Sequence, residues 1–333
     1  IGTYVDDNYI IGEKEKIEEL VTEIENKGLK LTVQKGLNDY LSCNIVFNKD
    51  KTKAWIGQPH LMKKLIDKFG NEVKNLRKYV TPGTPNIGLK MPITENELLS
   101  DNEQRKLRSG IGMLLYLVKH SRPDIANAVR ELSKCMDKGN DAAMKELKQV
   151  IKFVIDTKDY GLKIAPKMEE KKWKLEVFVD ADWAGDTETR ISISGFIMFL
   201  NKVPIMWRSR AQRNITLSSG ESKYVSLSDS IKEIKFVSMI CDDLGINLEK
   251  PIIVRVDNVS AMFMAETANA TSRTRHIDVK YHHVREFIEN NFIKIIFVTS
   301  EENLADMFTK NVKSIVYDNH VDKIIIDKEN ITE

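Results

Sequence analysis

Short apolar runs open the chain. In IGTYVDDNYIIG, two β-branched and aromatic stretches flank Asp6, Asp7 and Asn8, which are turn formers. The pattern predicts a hairpin with both acids at its tip. The spacing then lengthens. Ile17, Leu20, Val21 and Ile24 share one helical face, and Gly28 follows as a C-cap. Residues 37–47 and 53–56 read as strands, followed by the basic helix HLMKKLIDKFG. A Pro- and Gly-rich stretch, YVTPGTPNIGLKMPITEN, reads as a loop. Helical spacing resumes over residues 102–120, 123–136 and 141–154, so the middle third is largely helical.

From residue 174 the pattern turns to strands. LEVFVDADWAG, ISGFIMFL and VPIMWRSR are three short ones in succession. A long helix is predicted over residues 221–244, with Tyr224, Leu227, Ile231 and Ile234 on one stripe. Strand IIVRVDN, a short helix to residue 266, a helix over 277–290, strand FIKIIFVTS and a helix around ENLADMFTK complete the pattern. Antiparallel strands followed by alternating helix and strand predict an α/β (α+β) fold, its mixed sheet covered by helices. The charged, Pro-containing segment YGLKIAPKMEEKKWK marks a domain boundary near residues 160–172.

Length and composition narrow this little. The 333 residues suit about two domains, and 42% hydrophobic with 30% charged residues is an ordinary globular balance. A net charge of +2 gives no strong sign of a nucleic-acid partner, so local clusters must carry that reading. Three scattered cysteines, Cys43, Cys135 and Cys241, argue for a reducing compartment and against a thiolate zinc site. No apolar run approaches the roughly 20 residues of a membrane span. The chain starts at Ile1, inside a strand pattern and without an initiator Met, and reads as part of something longer.

Four acids of the second half stand at predicted element ends: Asp180, Glu221, Asp257 and Asp306. Each has an ordinary local role open to it. Ser218 and Glu221 form an S-x-x-E capping box, Asp257-Asn258 can cap the next helix, and Asp306 suits a helix N-terminus. Together, at one edge of a mixed sheet, they could chelate two divalent cations of the kind that assist phosphodiester displacement. All-oxygen ligation suits Mg²⁺ or Mn²⁺ better than zinc.

The motifs in which these acids sit resemble the ribonuclease H of copia-type LTR retrotransposons. The matching stretches are DADWAGD (180–186), SISGF (192–196), SSGESKY (218–224), VDN (256–258), TRHIDVKYHHVRE (274–286) and NLADMFTK (303–310). RSGIGMLLYLVKHSRPDIANAVRELSKCM resembles the family's segment between thumb and ribonuclease H. YVDD resembles the reverse-transcriptase palm hairpin, whose two aspartates bind the polymerase metals; here they are Asp6 and Asp7. Two departures stand out. The family has an SSTEAEY-like stretch where this chain has SSGESKY, and STSG where it has SISG. Glu221 is retained, so the expected metal set stands, with a helix start that packs differently.

The resemblance implies four regions: palm end (1–58), helical thumb and connection (59–165), a ribonuclease H-like domain with a five-stranded mixed sheet (172–312), and a C-terminal tail (313–333). It implies hydrolysis of the RNA strand of RNA–DNA hybrids, with Asp180, Glu221, Asp257 and Asp306 holding two Mg²⁺ or Mn²⁺ ions. DNA polymerisation is expected only in a full-length polyprotein, because a further palm aspartate lies N-terminal to YVDD in the family. The implied partners are the hybrid, RNA template and DNA, and the rest of Pol (upstream palm and fingers, integrase), with no membrane. The implied setting is a cytoplasmic virus-like particle, with nuclear entry of the reverse-transcription complex.

His276, His282 and His283 cluster around Asp278, but the spacing of His276 and His282 is poor for one helix face, and zinc is not expected. Packing, phosphate or 2′-hydroxyl contact suits them, and His282 is also a candidate proton shuttle. Arg208, Arg210 and Arg213 form one basic cluster with Trp207 among them, and Arg273, Arg275 and Lys280 form another. A groove that tracks phosphates, reading a hybrid by shape, would explain both. Two other readings stay open: a co-opted or decayed relic that binds nucleic acid without catalysis, and an integrase-like nuclease, which would leave YVDD unexplained.

Overall fold

The computed structural model describes residues 2–4, 7–85, 88–92, 94–168, 172–266 and 278–332. The opening hairpin forms, with β1 (Gly2–Tyr4) pairing antiparallel to β2 (Asp7–Tyr9), but Asp7 and Asn8, expected in the turn, belong to the second strand opposite Tyr4 and Thr3. Helix α1 (Lys14–Asn26) follows, and the apolar face predicted for it is only half-buried. Next come β3 (Asp39–Tyr40), β4 (Cys43–Phe47), β5 (Ala54–Gly57) and α2 (Pro59–Val73). The helical middle third is α3 (Asp101–His120), α4 (Ala126–Ser133) and α5 (Asp141–Asp156). A capping box at Ser100 and Glu103 starts α3.

Tyr160–Ile164, which composition assigns to a charged boundary, is strand β6 and pairs antiparallel with β5. A strand this short, with two charges close after it, gives little period to read. Its other neighbour arrives from the far end of the chain: β12 (Ile325–Asp327) pairs antiparallel with β6. The first sheet therefore runs β12-β6-β5-β4-β3.

The second sheet contains β7 (Leu175–Asp182), β8 (Ile193–Leu200) and β9 (Val203–Ala211), then β10 (Ile252–Val256) and β11 (Ile293–Phe297). Its order is β11-β10-β7-β8-β9, with β7, β8 and β9 antiparallel and β10 and β11 parallel to β7. This is the five-stranded mixed sheet expected above. Alternate residues of its strands enter two cores. Val177, Val179, Phe196 and Met198 face α6 (Ser219–Asp243), while Phe178, Ile197 and Phe199 face the middle helices.

The α6 stripe of Tyr224, Leu227, Ile231, Ile234, Val237 and Cys241 is buried against the sheet. Ser222, Ser226 and Ser230, one turn apart, are buried beside it and let the helix come close. α7 (Val259–Glu266) and α8 (Asp278–Glu289) join the same face. The stretch ENLADMFTK contributes only the short α9 (Asp306–Thr309) on the other face; α10 (Ser314–Val321), β12 and α11 (Glu329–Thr332) then close the chain.

A buried network ties this return to the middle helices. Arg122 forks onto Asp124 at 2.9 and 2.8 Å and donates to Thr157, while the Tyr317 hydroxyl of α10 donates to Asp124 at 2.9 Å.

Candidate active site

Strand register brings the first two acids together. Val179 of β7 pairs with Val256 of the parallel β10, so Asp180 and Asp257 are the next residues on neighbouring strands. Adjacent strands lie about 4.8 Å apart. Asn303 brings in the third acid. Its side chain donates to the Val179 carbonyl at 3.0 Å and accepts from Ala305 N at 3.1 Å, fixing the turn that begins α9 at Asp306. Gly195 of β8 lets α9 lie against the sheet, since a Cβ there would come within 2.8 Å of Phe308 and Thr309 side chains. Thr309 then donates to Asp180 Oδ2 at 2.5 Å.

A cation also reaches this group. Lys223, in the first turns of α6, donates to Asp180 Oδ1 at 2.8 Å and to Asp257 Oδ1 at 2.5 Å. Asp257 Oδ2 accepts from Ser300 at 2.9 Å, and Lys310 Nζ lies 2.7 Å from Asp306 Oδ1.

Burial would raise the pKa of Asp180, but Lys223 and the Thr309 hydroxyl outweigh it and hold the carboxyl below its ordinary value. Burial and the neighbouring charge of Asp180 push Asp306 up to about 7, against the pull of Lys310. Burial would lower Lys223, yet Asp180 and Asp257 keep it above the ordinary lysine value, so it is an ammonium ion. This end of the sheet holds alternating charges in a low-dielectric setting.

Glu221 sits at the start of α6, in the capping role that its S-x-x-E motif allows. Its N–H donates to Ser218 Oγ at 3.2 Å, as a capped helix start requires, and its carboxylate accepts from Leu217 N at 2.8 Å. It borders a cleft of about 670 Å³ that Arg208, Arg210 and Arg213 also line. The three predicted arginines of this cluster therefore do share one surface. Asp229 and Glu233 line it too, and Arg208 is paired with Glu233 at 2.7 Å, its guanidinium stacked over Phe196.

Asp6, Arg273, Arg275 and His276 lie outside the described residues, as do the side chains of Asp7 and His282. His283 packs its ring against Phe287 at 5.0 Å.

The donor chemistry of Asp180, Asp257 and Asp306 suits a hard divalent cation. Their arrangement does not fit one, because the Lys223 ammonium stands between two of the carboxylates. Among the described residues, no group of three or more His, Cys, Asp or Glu side chains is set to hold a metal ion. Sequence reasoning missed Lys223. The signal was the SSGESKY stretch, in which a base occupies a position that the resembling SSTEAEY pattern fills with an acid.

No family model matches the chain. It is 32% identical over 221 residues to the retrovirus-related Pol polyprotein from transposon RE2 of Arabidopsis thaliana, a match covering 66% of this chain and 15% of that one. To the corresponding polyprotein from transposon RE1 of the same plant it is 26% identical over 321 residues, covering 96% of this chain and 21% of the relative. The chain thus spans about a fifth or less of the length of these curated relatives. Among solved structures, LC11-RNase H1 isolated from compost aligns over 44% of this chain and 98% of its own, at 13% identity and a TM-score of 0.33. By sequence, the relatives of the chain are Pol polyproteins of copia-type retrotransposons, and it corresponds to a part of their length.

Proposed function

We propose that the chain serves as the reverse transcriptase–ribonuclease H part of a retrotransposon Pol polyprotein, and that residues 172–312 engage RNA–DNA hybrids. One observation carries the reading: three buried carboxylates gather at one end of a mixed sheet. The cleft of Arg208, Arg210 and Arg213 borders α6, the helix that also carries Lys223, and offers cations to a phosphate backbone. Hydrolysis of the RNA strand is the reaction such carboxylates suit, and Mg²⁺ or Mn²⁺ is the metal class that their oxygens would take. The hairpin of β1 and β2 supports a palm origin for the first residues, with polymerisation belonging to a longer polyprotein.

A second reading, binding of nucleic acid without catalysis, is favoured by Lys223, which neutralises the carboxylates that a metal would need. Both readings require hybrid binding. By fluorescence anisotropy, the purified chain should bind a labelled RNA–DNA hybrid more tightly than duplex DNA of the same sequence. Equal, salt-insensitive affinities for the two would refute both.

A further inference from the structure

Two residues apart on a helix means about 200° around its axis, so Glu221 and Lys223 cannot present side chains to the same neighbour from regular α6 backbone. Lys223 is the one that reaches Asp180 and Asp257. Glu221 is engaged by Leu217 N at the helix start and borders the arginine cleft. We propose that position 223, and not 221, is where α6 meets the carboxylate group, and that Lys223 is a built-in cation that keeps divalent metal out of it.

The proposal rests on the reading of this sheet end as a ribonuclease H-type centre. Geometry supports it first. The ammonium lies 2.8 and 2.5 Å from one oxygen each of Asp180 and Asp257. A magnesium ion would need oxygens at about 2.0–2.1 Å, in the same space. Both cations cannot occupy it, and the Lys223 side chain is only 16% exposed, so it is not a loose surface group that has swung in.

Charge supports it next. Asp180 and Asp257 are each almost fully buried, and the single ammonium answers both, together with Thr309 on Asp180 and Ser300 on Asp257. An arriving divalent ion would have to push a like charge out of a buried site.

Manganese affinity of the whole chain tests this directly, by electron paramagnetic resonance of free Mn²⁺ and by calorimetry, with no activity readout. Lys223→Glu should bind Mn²⁺ at least about tenfold more tightly than the wild-type chain. Lys223→Gln should fall between the two and carries the test if the glutamate variant does not fold. In both variants added Mn²⁺ should raise the unfolding temperature, while the wild-type value stays put. Asp257→Asn in the Lys223→Glu background should remove the gain.

Equal or weaker Mn²⁺ binding by both variants, with the wild-type chain binding well, would overturn the role of Lys223 and leave the metal centre standing. Absence of binding in all three would overturn the metal centre itself and the inference with it.

Discussion

Lys223 Nζ donates to Asp180 Oδ1 across the seam between α6 and β7, at 2.8 Å, and Asp180 is only 2% exposed. Removing one partner of such a pair leaves a buried charge unanswered, which is far more damaging than never having had the pair. Lys223→Ala should therefore lower stability by about 3 kcal/mol or more in metal-free buffer, measured by urea unfolding. A loss under about 1 kcal/mol would mean that the pair behaves as a solvated surface contact.

Gly195 is the second point at which packing controls the acidic group. A Cβ there meets the Cβ of Phe308 and the Cγ2 of Thr309, each at 2.8 Å, so α9 must move off β8. Gly195→Ala should cost about 1–3 kcal/mol and weaken the Thr309–Asp180 hydrogen bond. Wild-type stability in this variant would show that α9 does not lie as closely on the sheet as described.

Asp186 offers a pH test away from Asp180. Burial would raise its pKa, but Lys134 at 2.7 Å and the Thr189 and Glu188 N–H groups outweigh this and bring it down to about 2. Because the folded value lies below the unfolded one, the stabilisation is complete above about pH 4 and is lost as pH falls toward 2. It is worth about 1–2 kcal/mol at neutral pH once solvent screening is allowed for. Asp186→Asn should be destabilised by roughly that amount at pH 7 and should converge on the wild-type chain near pH 2. A stability difference independent of pH would contradict the assignment.

For the arginine cleft, salt dependence is the informative quantity. Arg210 and Arg213 changed together to Gln should weaken hybrid binding and reduce the slope of log affinity against log salt by about one unit per lost phosphate contact. Arg208→Gln should do less, since that guanidinium is already paired with Glu233 and stacked on Phe196. If Arg208 proves the most damaging change, its pairing with Glu233 does not persist in the nucleic-acid complex.

Much of this fold is legible in residue spacing, for a physical reason. The central strands of the second sheet are buried on both faces, so they are largely apolar, as LEVFV and ISGFIMFL are. The α6 stripe is equally plain, because a long helix on a sheet needs an apolar residue every three or four positions. Illegible were β6 and β12, whose pairing joins residues more than 150 apart and depends on tertiary contacts rather than on local pattern. An acid inside an apolar strand run, one just past a strand and one at a helix start made Asp180, Asp257 and Asp306 readable as a set. Glu221 looked like their partner because its motif contains an acid; the helix phase that turns position 223 toward them appears only when α6 is set against β7.

Cutting of a hybrid with labelled RNA, in Mg²⁺ or Mn²⁺, tests the reading of this sheet end most directly. Lys223→Glu should cleave the RNA strand at least about tenfold faster than the wild-type chain, leave matching duplex DNA intact, and lose the activity on adding Asp257→Asn. Wild-type cleavage as fast as that of Lys223→Glu, or cleavage by Lys223→Glu that survives Asp257→Asn, would contradict it.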